Sequence, residues 1–343
     1  MTKQAMKPED NSSKITPGKL LTVRGLSCLF PVGGGWLSGA RAHIHAVENI
    51  DFDIAPGESL GLVGESGCGK TTTGKLLVKL LKPTGGEIWL DTGAGVINVR
   101  AMKAQQRRLF RRSVQMIFQD PYESLNPRMT VYDAIAEPLV VQHVGNLIEQ
   151  QEAVARLLTL VGLTPPETFM FRFPHELSGG QRQRVAIARA LILSPKFVVA
   201  DEPTSMLDVS IRTGIMNLML DLAGQLGLSY LYITHDLAVA RYMSQSLAVM
   251  YLGRIVEMGA TEEVLAHPLH PYTRALLAAA PVPDPKHIAP PIEIKNNITT
   301  PLNPPPRCRF YDRCPWDNRR CADRPHPPLE DKGHGHLTAC YLV

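Results

Sequence analysis

The run Gly64-Glu65-Ser66-Gly67-Cys68-Gly69-Lys70-Thr71 constrains this chain more than any other stretch. It fits G-x-x-x-x-G-K-[ST] and lies between the apolar Gly61-Leu62-Val63 and a helical segment expected over 71–81. Strand, loop and helix in that order are the context in which such a loop cradles phosphate. The glycines let backbone N–H groups curl around phosphate oxygens, and the helix start adds a favourable dipole. Lys70 is placed to bridge the β- and γ-phosphates of a nucleotide, and Thr71, followed by Thr72, offers a hydroxyl to Mg²⁺.

The rest of the chain supplies a frame for that loop. At 343 residues it has room for one large α/β domain and an appendage. A hydrophobic share of 44% and a charged share of 20% are ordinary for a protein that buries a core. The net charge of +4 is small and its lysines and arginines are scattered, which speaks against nucleic acid as a partner. No stretch approaches the 18 or so apolar residues of a membrane span. Residues 1–18 are polar and read as a disordered leader without a signal peptide, so the chain is expected in the cytosol. Short β-type runs follow from Leu20, with a Gly-rich hairpin loop before Ala46. Residues 105–195 read as mostly helical. Beyond Pro281 the composition changes: 13 of the 28 prolines lie between Pro281 and Pro328. That tail is expected to be irregular and pinned by something other than a hydrophobic core.

Two acidic residues complete a reaction site. The apolar Phe197–Ala200 reads as a strand buried on both faces, and Asp201-Glu202 sit at its carboxyl end, where α/β sheets present their chemistry. Asp201 is placed to hold Mg²⁺ and Glu202 to orient or deprotonate an attacking water. His235 ends the strand SYLYITHD and is a candidate sensor of the γ-phosphate. Gln119, in QMIFQD, is expected to reach the Mg²⁺ or the water.

A second helix start carries the remaining information. Leu177-Ser178-Gly179-Gly180-Gln181 precedes RQRVAIARAL, and Ser178 with the glycines can cap a helix whose free N–H groups bind phosphate. One nucleotide rarely needs two such helix ends from one domain. Together with GESGCGKT, ADEP, SMLD and THD, this stretch resembles the signature motif of the ATP-binding cassette (ABC) proteins. The resemblance covers residues 20–280. It implies a P-loop NTPase cassette: a RecA-like core sheet, an antiparallel β subdomain and a helical signature subdomain over about 120–195. The nucleotide-binding domain is placed at 19–280 and the Pro- and Cys-rich extension at 281–343. It further implies head-to-tail dimers in which each ATP lies between one phosphate loop and the other subunit's signature motif. Glu202 then matches the catalytic base, His235 the switch histidine, Gln119 the lid glutamine, and Asp208 the aspartate that contacts the opposite subunit. Met206 departs from the family's usual alanine. Phe30 matches the aromatic that stacks on adenine, with Trp36 and His43 as rivals.

FQDPYESLNPRMTV, HPLHPYTRALLAAAP and PLNPPPRC resemble the subfamily that serves oligopeptide and dipeptide importers, closest to the second ATPase of dipeptide importers. That resemblance implies a related second cassette in a heterodimer, two membrane permeases and an extracytoplasmic peptide-binding protein. It also implies a place at the cytoplasmic face of the membrane. Nickel or glutathione is the alternative cargo; a soluble cassette ATPase without a membrane partner is the rival class. In the tail, Cys308, Cys314, Cys321 and Cys340 have spacings that suit neither the usual zinc pairs nor a ferredoxin. By spacing alone a [4Fe–4S] cluster, a zinc ion helped by His326, His334 or His336, and unliganded thiols all stay open. The subfamily resemblance favours the cluster. Cys28 and Cys68 fall outside this group.

Overall fold

The computed structural model describes residues 14–33, 42–279, 301–316 and 319–343. Most of the leader, Trp36 and the run 281–300 lie outside the described residues. Two sheets carry the fold. Strands β1 (Leu21–Val32) and β2 (Ala42–Ile54) pair antiparallel as the hairpin read from the sequence. Strand β3 (Ser59–Val63) opens the second sheet and runs into the phosphate loop and helix α1 (Lys70–Leu77). Strands β4 (Gly85–Asp91) and β5 (Val96–Asn98) complete the first sheet in the order β2-β1-β4-β5, antiparallel throughout.

Helix α2 (Ala104–Ser113) leads to β6 (Val114–Ile117), and the chain then leaves the sheet for a helical layer. That layer is α3 (Pro121–Ser124), α4 (Val131–Val141), α5 (Leu147–Leu160), α6 (Pro166–Met170) and α7 (Gly179–Leu191). Its starts are written locally: Thr130 with Asp133 and Asn146 with Glu149 form reciprocal caps at α4 and α5. The chain returns through β7 (Phe197–Asp201), α8 (Val209–Leu226), β8 (Ser229–Thr234) and α9 (Leu237–Met243). Strands β9 (Ser246–Tyr251) and β10 (Arg254–Ala260) turn back on each other before α10 (Thr261–Ala266) and α11 (Pro271–Ala279). The tail adds β11 (Glu330–Asp331) and β12 (Leu337–Thr338).

The second sheet has the order β11-β12-β10-β9-β3-β8-β7-β6, parallel from β9 to β6 and antiparallel beyond. Every residue of β3, β7 and β8 is buried, as a parallel sheet covered on both faces requires. One apolar cluster joins the helical layer to β7 and β8, and another fills the space between the two sheets. Helix α1 stops at Leu77, four residues short of the expected end. Lys79 turns left-handed and Leu80 points to solvent, so no apolar face continues.

The tail is irregular as expected, but the reading that it lacks a hydrophobic anchor is overturned. Phe310 is fully buried and packs on Tyr251 at 5.2 Å and Tyr272 at 5.4 Å between ring centres. Cys314 joins the same cluster, with Val63, Leu247 and Val249 of the main sheet beneath it. Strand β12 pairs with β10, and His336 bonds the buried carboxylate of Glu257 at 2.7 Å. That carboxylate also accepts the N–H groups of Leu269 and His270. Within 301–328 the described residues form two short 3-10 turns, so the prolines limit regular structure without limiting side-chain burial. Phe310→Ala should therefore cost about 3–5 kcal/mol of stability. Urea unfolding measures that loss, and limited proteolysis should cut the tail before the rest of the chain.

Candidate active site

The phosphate loop takes its shape from two contacts that leave no room for a side chain. Gly64, at φ 154°, lies against the Met250 carbonyl, and Gly69, at φ 111°, against that of Ala46. The loop is thus wedged between the end of β9 and the middle of β2. Lys70 is buried, and its ammonium donates to the carbonyls of Gly64 at 2.7 Å and Glu65 at 2.9 Å. Burial pushes the Cys68 thiol up, which suits a loop residue without redox work.

The acidic pair stands across from this loop. The Thr71 hydroxyl donates to Asp201 Oδ1 at 3.1 Å, across 130 residues of sequence. Burial, with the Glu202 carboxylate beside it, raises the pKa of Asp201 although Thr71 and the nearby lysines oppose the shift. A buried carboxylate next to a hydroxyl is a donor set made for a hard divalent cation, so Thr71 and Asp201 fit Mg²⁺. Gln119, two residues beyond β6, donates to Glu202 Oε2 at 3.2 Å, and His235 Nδ1 lies 2.9 Å from Glu202 Oε1. Glu202 itself holds a left-handed φ of 45°, a strained conformation for a residue with a Cβ. Its N–H is fixed to the Ile233 carbonyl at 2.9 Å. Three residues singled out separately in the sequence thus meet at one carboxylate.

One open cavity runs along residues 64–72, with Gln119, Glu202 and His235 at one end. Ile44, Leu252, Leu276 and Pro301 line it elsewhere, and sequence reasoning missed all four. They are unremarkable apolar residues whose role comes only from where the chain returns. Phe30 is not among the lining residues, but it pairs directly with Ile44 across β1 and β2 and so shares its sheet face. His43 lies on the opposite face by strand alternation.

The signature stretch is folded as its motif implied. Ser178 caps α7: its hydroxyl accepts the Gln181 N–H at 3.3 Å while the Gln181 side chain accepts the Ser178 N–H at 2.9 Å. Leu177 is buried behind this cap, and Gly179 and Gly180 form the first turn. None of these residues lines the cavity over the same chain's phosphate loop. Asp208 stands at the N-cap of α8 without using its side chain as a cap, flanked by the exposed Met206 and Val209.

The four tail cysteines converge. Cys308, Cys314, Cys321 and Cys340 line one small cavity with His270 and Phe310. Even so, no three His, Cys, Asp or Glu side chains among the described residues stand close enough together to hold a metal ion. The described geometry therefore does not by itself support a metal ion at these cysteines. His336 is committed to Glu257, His326 Nδ1 accepts the Arg309 N–H at 3.3 Å, and His334 is exposed. Burial, with the neighbouring thiols adding to it, pushes the Cys308 thiol up to about 12.

Comparison with known proteins agrees with this geometry. Residues 47–205 match the family model described as ABC transporter, and residues 256–321 match the oligopeptide/dipeptide transporter C-terminal region. A putative peptide import ATP-binding protein of Brucella ovis is 46% identical over 326 residues, 95% of this chain and 98% of that protein. The chain belongs to the ABC transporter family. An oligopeptide transport ATP-binding protein of Bacillus subtilis is 42% identical, over 94% of this chain and 97% of its own length. Among solved structures, a dimeric ATP-binding cassette in a post-hydrolysis state with ADP and Pi matches at TM-score 0.60 and 28% identity. The match covers 70% of this chain and 98% of that one. As a member of this family the chain is an ATPase.

The raised pKa of Asp201 has a measurable sign. A carboxyl whose folded pKa lies above its unfolded value loses stability for the fold as pH rises from the ordinary aspartate range through the raised value. Asp201→Asn should therefore raise the melting midpoint at pH 7–8, without Mg²⁺ or nucleotide, by on the order of 2 °C. The gain should vanish near pH 3, and ATP turnover should be lost; thermal melts across pH check the first and a phosphate-release assay the second.

Proposed function

We propose that this chain is the ATP-hydrolysing subunit of an importer of oligopeptides or dipeptides, working as one half of a two-cassette dimer. The observation that carries the reading is Glu202, held between Gln119 and His235 beside Asp201 and facing the phosphate loop. A carboxylate with two such neighbours can take a proton from water at a fixed point. His235 would sense the γ-phosphate through Glu202, and Gln119 would couple the site to the strand end it follows. Lys70 would exchange its two carbonyl partners for phosphate oxygens. Thr71 and Asp201 would hold Mg²⁺, which neutralises charge on the phosphates. Phe30, sharing a sheet face with Ile44, would stack on adenine.

The dimer reading rests on the signature stretch. Leu177, Ser178, Gly179, Gly180 and Gln181 form a helix start that its own nucleotide cavity does not use, so a second subunit's ATP is its natural ligand. Asp208, with Met206 and Val209 exposed beside it, would lie at the seam. A related but non-identical cassette, as the subfamily resemblance implies, would be the other half of a heterodimer. Two permeases and an extracytoplasmic peptide-binding protein would complete the transporter and place this chain at the cytoplasmic face of the membrane. Among the described residues no helix is long and apolar enough to cross a membrane. A basic groove between the sheet and the helical layer, with Lys79, Arg107, Arg111 and Arg189 around Phe118 and Val141, is a fitting seat for a permease loop. The peptide cargo is supported by the match of residues 256–321 and by the names of the relatives.

Glu202→Gln should lower ATP turnover at least about 100-fold, the range expected for losing a general base. ATP binding should persist, read by equilibrium titration on the same purified transporter complex. Turnover near that of the unaltered protein would remove Glu202 from the role of base.

A [4Fe–4S] cluster at Cys308, Cys314, Cys321 and Cys340 is the finer proposal for the tail, supported by the convergence of four thiols on one cavity. Binding would deprotonate the thiols, so iron has to offset their raised pKa values. Anaerobically purified protein should contain about four irons and four sulfides per chain, lost when the four cysteines become serine. Protein prepared in this way without iron would overturn the cluster.

A further inference from the structure

Glu65, the first variable position of the phosphate loop, is fixed on three sides. Its N–H donates to the Tyr272 hydroxyl at 2.9 Å, and its carbonyl accepts from Lys70 at 2.9 Å. Its carboxylate receives two parallel bonds from Arg313, at 2.7 Å and 3.0 Å. Residue 65 therefore offers the nucleotide neither its N–H nor its side chain. It serves as the peg on which the loop hangs.

Arg313 is well placed to hold that peg. Its side chain is 10% exposed and that of Glu65 23%, so the pair is shielded in a way that surface ion pairs are not. The fork geometry fixes direction as well as distance. The arginine is itself steadied by the tail's buried cluster. Its N–H donates to the Phe310 carbonyl at 3.0 Å, and its guanidinium lies 5.7 Å from the Tyr251 ring centre. Nearby, Arg309 bonds Glu48 of β2, so two arginines of the tail each hold a carboxylate of the cassette. The loop needs such support because Gly64, Gly67 and Gly69 all hold φ values that a flexible chain reaches only at an entropic cost.

We infer that Arg313 is a positioning residue of the ATP site, holding Glu65 and through it the phosphate loop in the shape that receives nucleotide. The inference rests on the ATPase reading of that loop and gives the Pro-rich tail a part in nucleotide affinity. Arg313 does not touch ATP. Its effect reaches the phosphates through the backbone of Glu65, which is held by Tyr272 and Arg313 and so fixes where the rest of the loop stands.

The test is equilibrium binding of a fluorescent ATP analogue to the full chain, with KM and kcat from the assembled transporter. Arg313→Gln should weaken binding about tenfold and raise KM by a similar factor, with kcat at saturating ATP within about twofold. Arg313→Lys should recover part of the loss, since one of the two bonds can reform. Glu65→Gln should weaken binding as Arg313→Gln does, and the double variant should be no worse than either alone. A general loss of structure would instead lower kcat and add between the two sites. If Arg313→Gln does not fold, Glu65→Gln reads the same pair from the loop side. Folded variants that bind within twofold of the unaltered chain would overturn the role of Arg313 while leaving the ATPase reading intact. An unaltered chain that binds no ATP would sink both.

Discussion

The contact of two glycines with two carbonyls underlies the rest of the molecule. Gly64 against Met250 and Gly69 against Ala46 wedge the phosphate loop between strands of different sheets. That wedge requires β3 to sit beside β9 in the parallel sheet and requires β2 to cross over the loop. Strand β2 directly precedes β3 in the chain, whereas β9 arrives only after the whole helical layer. Once they are in place, α1 lies against β7 and β8, whose ends lead to Asp201 and His235. A Cβ at either glycine would push the two sheets apart and undo the site together with the fold.

Charge sets the second tier of organisation. Asp201 and Glu202 are adjacent carboxylates at the end of a buried strand, and the protein treats them differently. Asp201 is buried and donated to by one hydroxyl, a state that favours either a proton or a cation. Glu202 is turned outward by its left-handed backbone and meets an amide and an imidazole. Strand β7 ends at Asp201, so the left-handed turn at Glu202, and not the strand's alternation, sets where the Glu202 carboxylate lies. One carboxylate is thereby suited to metal and the other to water.

Much of this was legible in the sequence because it is local. The loop, the cap at Ser178 and the fully apolar runs of β3, β7 and β8 each specify their own structure within a few residues. Glu202, His235 and Gln119 were legible individually because each ends or follows a strand at the same edge of a parallel sheet. What stayed hidden depends on return contacts. Ile44 and Pro301 acquire a role only when β2 and the tail meet across more than 250 residues. Arg313 is an ordinary arginine until Phe310 buries beside Tyr251. Proline content correctly signalled an irregular tail, but it carries no information about which side chains that tail inserts into a neighbouring core.

The pairing of Glu65 with Arg313 spans 248 residues, and that distance has a temporal meaning. A ribosome delivers the phosphate loop first and the arginine last, at about 5–20 residues per second. For an interval of many seconds the nascent chain displays its glycine loop without the peg's second support. Until the tail has emerged, the Glu65 carboxylate has no Arg313 to pair with. A chain broken before residue 313 would keep every recognisable nucleotide motif and lack one support of the loop that carries the first of them.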